Sequence, residues 1–183
     1  MPERPTVLLV DEFGRALGPS DKLEAHEAPG RLHLAFSVFL FRDRQLLLQQ
    51  RATSKYHFPG IWANACCSHP APGDDIVDSA ERRVREELGL DADLDDVGTF
   101  IYRAVDPGSG LVEHELDHVL VGTLAADAEP NPDPGEVAAV MWVPVRELSA
   151  GSAAELPDAM APWFAEALEI ALQTRAEAAI GGC

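Results

Sequence analysis

The sequence predicts an α+β domain: a mixed β-sheet flanked by helices, with an N-terminal hairpin and a long C-terminal helix. Three observations lead there. Short apolar runs broken by turn residues dominate the early part of the chain, residues 75 to 88 place apolar positions at helical spacing, and an amphipathic stretch follows Pro162 near the end. With 183 residues and 46% hydrophobic content the chain can bury one core, so residues 1–183 are read as a single domain.

VLLV, followed by DEFG and a second short run, predicts an opening hairpin. RLHLAFSVFLF (31–41) turns through Arg42-Asp43-Arg44 into QLLLQQR, a second hairpin. In DIVDSAERRVREEL (75–88), Ile76, Ala80, Val84 and Leu88 fall on one helical face, with Asp74 or Asp75 as N-cap and Gly89 as the stop. LDDVGTFIYRAV and GLVEHELDHVLVGTL read as strands around the turn DPGSG, and the loop EPNPDPGE precedes another strand in EVAAVMWVP. PWFAEALEIALQTRAEAA opens beside Pro162, which a helix tolerates at its first turn, and is expected to end at Gly181-Gly182.

Acidic residues outnumber basic ones 31 to 14, and a net charge of −17 argues against nucleic acid or an anionic membrane surface as partner. No run approaches the roughly 20 apolar residues of a bilayer span. The start, MPERPTVLLVDEFG, lacks the basic flank and long apolar stretch of a signal peptide, so a cytoplasmic location is expected. Of the three cysteines, Cys66 and Cys67 are adjacent and Cys183 is the last residue, which suits a thiol's role better than a disulfide framework. No segment demands an oligomeric partner, and a monomer is expected.

Glu113 and Glu115 lie two apart, so on a strand they share a face while His114 points away. Two like charges side by side are tolerable if both are solvated, if one keeps a proton, or if a divalent cation sits between them. His26, His33 and His69 fall in the first half, and His33 interrupts an apolar strand. Each alone is more often a hydrogen-bonded structural residue; together with the two carboxylates they would make a five-ligand set suited to Zn²⁺, Mn²⁺ or a similar borderline ion. Arg83 and Glu87, four apart on the helix, allow either a surface ion pair or a Mg²⁺ held by Glu87 against phosphates that Arg83 also touches. Among few cations, Lys22, Arg51 and Lys55 are candidates to wrap an anionic group; solvated loop charge is the other reading.

Five ordered segments, HEAPGRLHLAFSVFLF, RATSKYHFPGIWANACCSHP, RRVREELG, YRAVDPGSGLVEHE and APWF, resemble the type I isopentenyl-diphosphate isomerases, from about Lys22 to Trp163. That family has a Nudix-like fold. The stretch around residues 75–88 is similar to a worn Nudix box, with Ser68 at its first Gly, Asp74 at its first Glu, Arg83 in place of a Glu, and Glu86, Glu87 and Gly89 matching. A cation among the metal-holding carboxylates weakens the alternative, a Nudix-type nucleotide pyrophosphohydrolase.

The resemblance implies interconversion of isopentenyl and dimethylallyl diphosphate through a tertiary carbocation. It implies Cys67 as the catalytic thiol, Glu115 as the acid assisted by Tyr102, and Trp163 as aromatic cover for the cation. Trp163 is also read as packing the last helix. His26, His33, His69, Glu113 and Glu115 are implied as ligands of one divalent metal, Mn²⁺ or Zn²⁺, and Glu87 as a ligand of a diphosphate-bound Mg²⁺. Lys22, Arg51, Lys55 and Arg83 are implied as diphosphate contacts. A nearby metal or cation is expected to lower the Cys67 pKa. A binding module of the same fold without turnover is the third reading.

Overall fold

The sequence HLAFSVFLFR is apolar without alternation because both faces of its strand are covered. In the computed structural model, which describes residues 5–149, 156–157 and 159–180, this strand is β3 (His33–Arg42). Before it come β1 (Thr6–Val10), β2 (Ala16–Asp21) and a short helix α1 (Lys22–His26); after it come β4 (Gln45–Arg51), β5 (Trp62–Asn64), β6 (Cys66–Ser68) and helix α2 (Ile76–Leu88). The order closes with β7 (Leu94–Val105), β8 (Val112–Thr123), β9 (Val137–Pro144), α3 (Val145–Ser149) and α4 (Phe164–Ile180). Cys183 and the Gly181-Gly182 stop lie outside the described residues.

Phe36, Val38 and Leu40 of β3 meet Ala80, Val84 and Leu88 of α2, while Phe39 and Phe41 meet Phe164, Ala167, Leu168 and Ala171 of α4. The sheet is therefore covered on both faces, one helix to each. It is mixed, as expected. β3 runs parallel to β8 from His33↔Glu115 to Phe41↔Thr123, and antiparallel to β1 and β6.

The second hairpin forms only at its tip, where Phe41↔Leu46 and Arg42↔Gln45 pair. Beyond that the strands part, and β4 pairs instead with β9 along its whole length and with β5. A tight turn fixes only the pairs beside it, and strands apolar on both faces are free to recruit other partners. Opposite the splayed pair, β7 and β8 form a long antiparallel ladder that includes Tyr102↔Glu115.

Helix α2 matches its expected caps. The Asp75 side chain accepts from the Val77 and Asp78 N–H groups, and Gly89 stands at φ 64°, a left-handed position where a side chain would be strained. Helices α1 and α3 and strands β5 and β6 are too short to show periodicity in sequence. The signal for α1 was Asp21, whose carboxylate accepts from the Leu23 and Glu24 N–H groups. Among the described residues no helix is long and apolar enough to cross a membrane.

Candidate active site

Alternation along β8 sends Glu113, Glu115 and Asp117 inward, with exposures of 3%, 5% and 1%. His114 points the other way, its Nδ1 against the Gly30 carbonyl at 3.2 Å. The inward row meets His33 on the neighbouring strand, His26 at the end of α1 and His69 just after β6. One donor atom from each of His26, His33, His69, Glu113 and Glu115 lies within 4.8 Å of all the others.

The donor set fits a divalent cation on its own chemistry. His26 Nδ1 lies 2.6 Å from the Lys22 carbonyl and His33 Nδ1 2.7 Å from that of Arg31, so each Nδ1–H is donated to backbone and, in the neutral ring, each Nε2 is left as a lone pair. Those lone pairs face carboxylates: His26 Nε2 is 3.2 Å from Glu113 Oε2, and His33 Nε2 is 3.5 Å from Glu115 Oε1. His33 Nε2 and His69 Nε2 face each other at 3.1 Å. Lone pair against lone pair is unfavourable until a cation or proton lies between. Burial, with Lys22 and His33 beside it, pushes His69 well below the usual imidazole range, which keeps the ring neutral and able to act as a ligand. Burial opposes the charge on Glu115, but its contacts with Glu113, His33 and Tyr102 outweigh it and hold the carboxyl ionised.

Tyr102, directly across from Glu115, donates its hydroxyl to Oε2 at 2.5 Å. Cys67 is on the same side of the sheet as Ser37, its pairing partner, while Cys66 points into the α2 core, so the adjacent cysteines do separate to opposite faces. The Cys67 thiol is not lowered as expected. Burial and the neighbouring Asp117 carboxylate push it up to about 12, against the opposing pull of Ser37, Arg51 and Trp163. At rest, then, the sulfur carries a proton and Glu115 does not.

Trp163 packs in the core, with its ring 5.7 Å from those of Phe58 and Tyr102, and it also borders the cavity with Cys67. The cations Lys22, Arg51, Lys55 and Arg83 border that cavity too, with Glu87. Their partners differ. Arg51 donates Nε and Nη2 to the Phe58 and His57 carbonyls, at 3.1 and 3.2 Å, so part of its guanidinium holds a loop. Lys55 pairs with Glu136 at 2.5 Å. Arg83 pairs with Glu87 at 2.5 Å and Glu86 at 2.7 Å, but Glu87 is buried, so this is no surface pair. Burial raises the Glu87 pKa even with Arg83 beside it.

Sequence reasoning missed Asp117, Asn64, His57 and Glu136. Asp117 extends the acidic row by one more step of two, a signal that was available; its Oδ2 accepts from Ser37 at 2.7 Å. His57 Nε2 meets Glu113 Oε1 at 2.5 Å, and nothing in its loop sequence announced that.

The NUDIX domain family model matches residues 31–167. The chain is 56% identical over 166 residues to the isopentenyl-diphosphate Delta-isomerase of Nocardia farcinica, covering 90% of this chain and 93% of that one. It is 49% identical to the Streptomyces coelicolor enzyme of the same name, covering 89% and 81%. A solved structure from Deinococcus radiodurans, DR0079, superimposes with a TM-score of 0.69 at 20% identity, covering 91% and 98% of the two chains, which bears on the fold alone.

Proposed function

This chain belongs to the isopentenyl-diphosphate Delta-isomerase family of Nudix-domain proteins, and from that premise we propose that its cleft interconverts isopentenyl and dimethylallyl diphosphate. The single observation that carries the reading is the convergence on one cavity of a thiol, a phenol–carboxylate pair, an indole and four cations. A nucleotide pyrophosphohydrolase is the poorer reading, because Arg83 pairs with both Glu86 and Glu87.

Moving the double bond needs one proton added at the alkene terminus and one removed from the carbon beside the diphosphate-bearing one. We assign the first to Glu115 with Tyr102 and the second to Cys67; in the reverse direction the roles exchange. The protonation at rest, sulfur loaded and carboxylate bare, is the starting state for dimethylallyl diphosphate. For isopentenyl diphosphate the two protons must first be redistributed. The tertiary cation between them lies against the Trp163 ring, whose quadrupole contributes roughly 0.5 to 2 kcal/mol without offering a nucleophile. Trp163 and the core around it exclude water from that side.

His26, His33, His69, Glu113 and Glu115 would hold one divalent metal, Mn²⁺ or Zn²⁺, and Glu87 would share a Mg²⁺ with the diphosphate. Bound there, such ions supply charge that orients the carboxylate and neutralises phosphate oxygens. Lys22, Lys55, Arg83 and the remaining donors of Arg51 grip the diphosphate, which lowers the entropic cost of alignment. We further propose that the protein acts as a cytoplasmic monomer of one domain.

Incubation with isopentenyl diphosphate and Mg²⁺ in heavy water, followed by NMR, tests the reading. Dimethylallyl diphosphate and deuterium at the allylic positions are expected. Inorganic phosphate release from nucleotides, with isopentenyl diphosphate left intact, would replace this reading with hydrolysis.

A further inference from the structure

Building on the isomerase reading above, we propose that Asn64 is a positioning residue that locks the Cys67 thiol and the Trp163 indole into one mutual orientation. Asn64 ends β5 opposite Leu48 and is fully buried. Its Nδ2 donates to the Val38 carbonyl at 3.1 Å and the Cys66 carbonyl at 3.0 Å. Two carbonyls can face only the NH₂ end of an amide, so the orientation is fixed by its surroundings. The oxygen must then face the other way.

There it meets two donors. Cys67 Sγ–H and Trp163 Nε1–H both reach Asn64 Oδ1 at 3.2 Å, and both lone pairs of that oxygen are used. Cys67 and Trp163 border the cavity, and the amide sits behind them. A purely structural asparagine, present to satisfy the Val38 and Cys66 carbonyls, accounts for the nitrogen but not for the convergence of the thiol and the indole on the oxygen. In the proposed reaction the substrate carbons lie against both the sulfur and the ring, so losing the shared acceptor lets both drift.

The test is Asn64→Ala, with kcat and KM for isopentenyl diphosphate measured beside the Trp163 indole N–H resonance in protein carrying isotope-labelled tryptophan. A misplacement on the order of 1 Å costs about 10²-fold, so kcat is expected to fall by about that factor while KM stays within about 3-fold. The indole resonance is expected to move to its unbonded position. A kcat within about 2-fold of wild type, or an indole resonance that does not move, overturns the proposal. Should Asn64→Ala not fold, the wild-type resonance decides alone: an indole proton already at the unbonded shift overturns it, and a hydrogen-bonded shift supports it. Wild-type protein that leaves isopentenyl diphosphate unchanged overturns the isomerase reading instead, a result that the indole signal does not share.

Discussion

Tyr102 and Glu115 are cross-strand partners on β7 and β8, and the phenol donates a hydrogen bond to the carboxylate at 2.5 Å. The same carboxylate faces His69 at 2.9 Å. Tyr102→Phe keeps the ring and removes only the donor. Loss of a positioned proton-transfer partner is expected to lower kcat by roughly 10²-fold with little change in KM, read from an NMR assay of allylic product.

Cys67→Ala is expected to bind substrate as the wild type does and to lose kcat by roughly 10²-fold to 10⁴-fold, since the removed group acts only in the transition state. Calorimetry on the inactive variant measures the binding. Turnover near the wild-type rate would rule Cys67 out as the group that exchanges the allylic proton.

The histidine and carboxylate lone pairs gathered around His33 are expected to make the fold respond to metal. Dialysis against a chelator should lower both Tm and activity, and Zn²⁺ or Mn²⁺ should restore them. A ligand at 100 times its Kd adds about 2.7 kcal/mol of stability. His33→Ala should abolish that metal-dependent rise in Tm. An identical rise in the variant would place the ion elsewhere.

Arg51 was expected to grip an anion, and its Nε and Nη2 hold the His57 and Phe58 carbonyls as well. A lysine keeps the charge but not the fork. With each hydrogen bond worth about 0.5–1.5 kcal/mol, Arg51→Lys is expected to lose about 1–3 kcal/mol in urea denaturation and to raise KM. Unchanged stability would mean that the loop is held without the guanidinium.

Asp106 links two loops: its carboxylate accepts from the Phe58 N–H at 3.1 Å, the Gly108 N–H at 3.0 Å and the Ser109 hydroxyl at 2.6 Å. Burial works against its charge, but these donors outweigh it and hold its pKa below the usual value. A group depressed in the folded state stabilises above its unfolded pKa of about 3.9, and that stabilisation disappears as pH falls through the folded value. Asp106→Asn is therefore expected to be less stable at neutral pH and to lose less stability on acidification below about pH 4. Parallel urea titrations across that range measure the difference.

Much of this was legible in the chain. The period of four in residues 75–88 gave α2 with its caps, and the spacing of two gave the inward face of Glu113 and Glu115. The five-residue donor set was a candidate from the residues alone and was selected by the resemblance, because spacing cannot report that residues far apart converge. What stayed hidden was of one kind. The parting of β3 from β4, the parallel ladder to β8, and the partners of His57, Asn64 and Glu136 all depend on contacts between distant segments, and no local pattern encodes those. The Cys67 pKa is similar: a metal or cation beside it was expected to lower the thiol, whereas burial and Asp117 push it up.

The pairing of His33 with Glu115 joins residues more than eighty positions apart at the first rung of a parallel ladder. Such closures are slow, because a long loop must be ordered before any rung rewards it. The cluster of His33 with Glu113 and Glu115 is therefore expected to form late in self-assembly, and a chain stalled before β8 docks would carry His33 and Cys67 without the two glutamates. On the proposed function, activity would then double as a readout of completed folding.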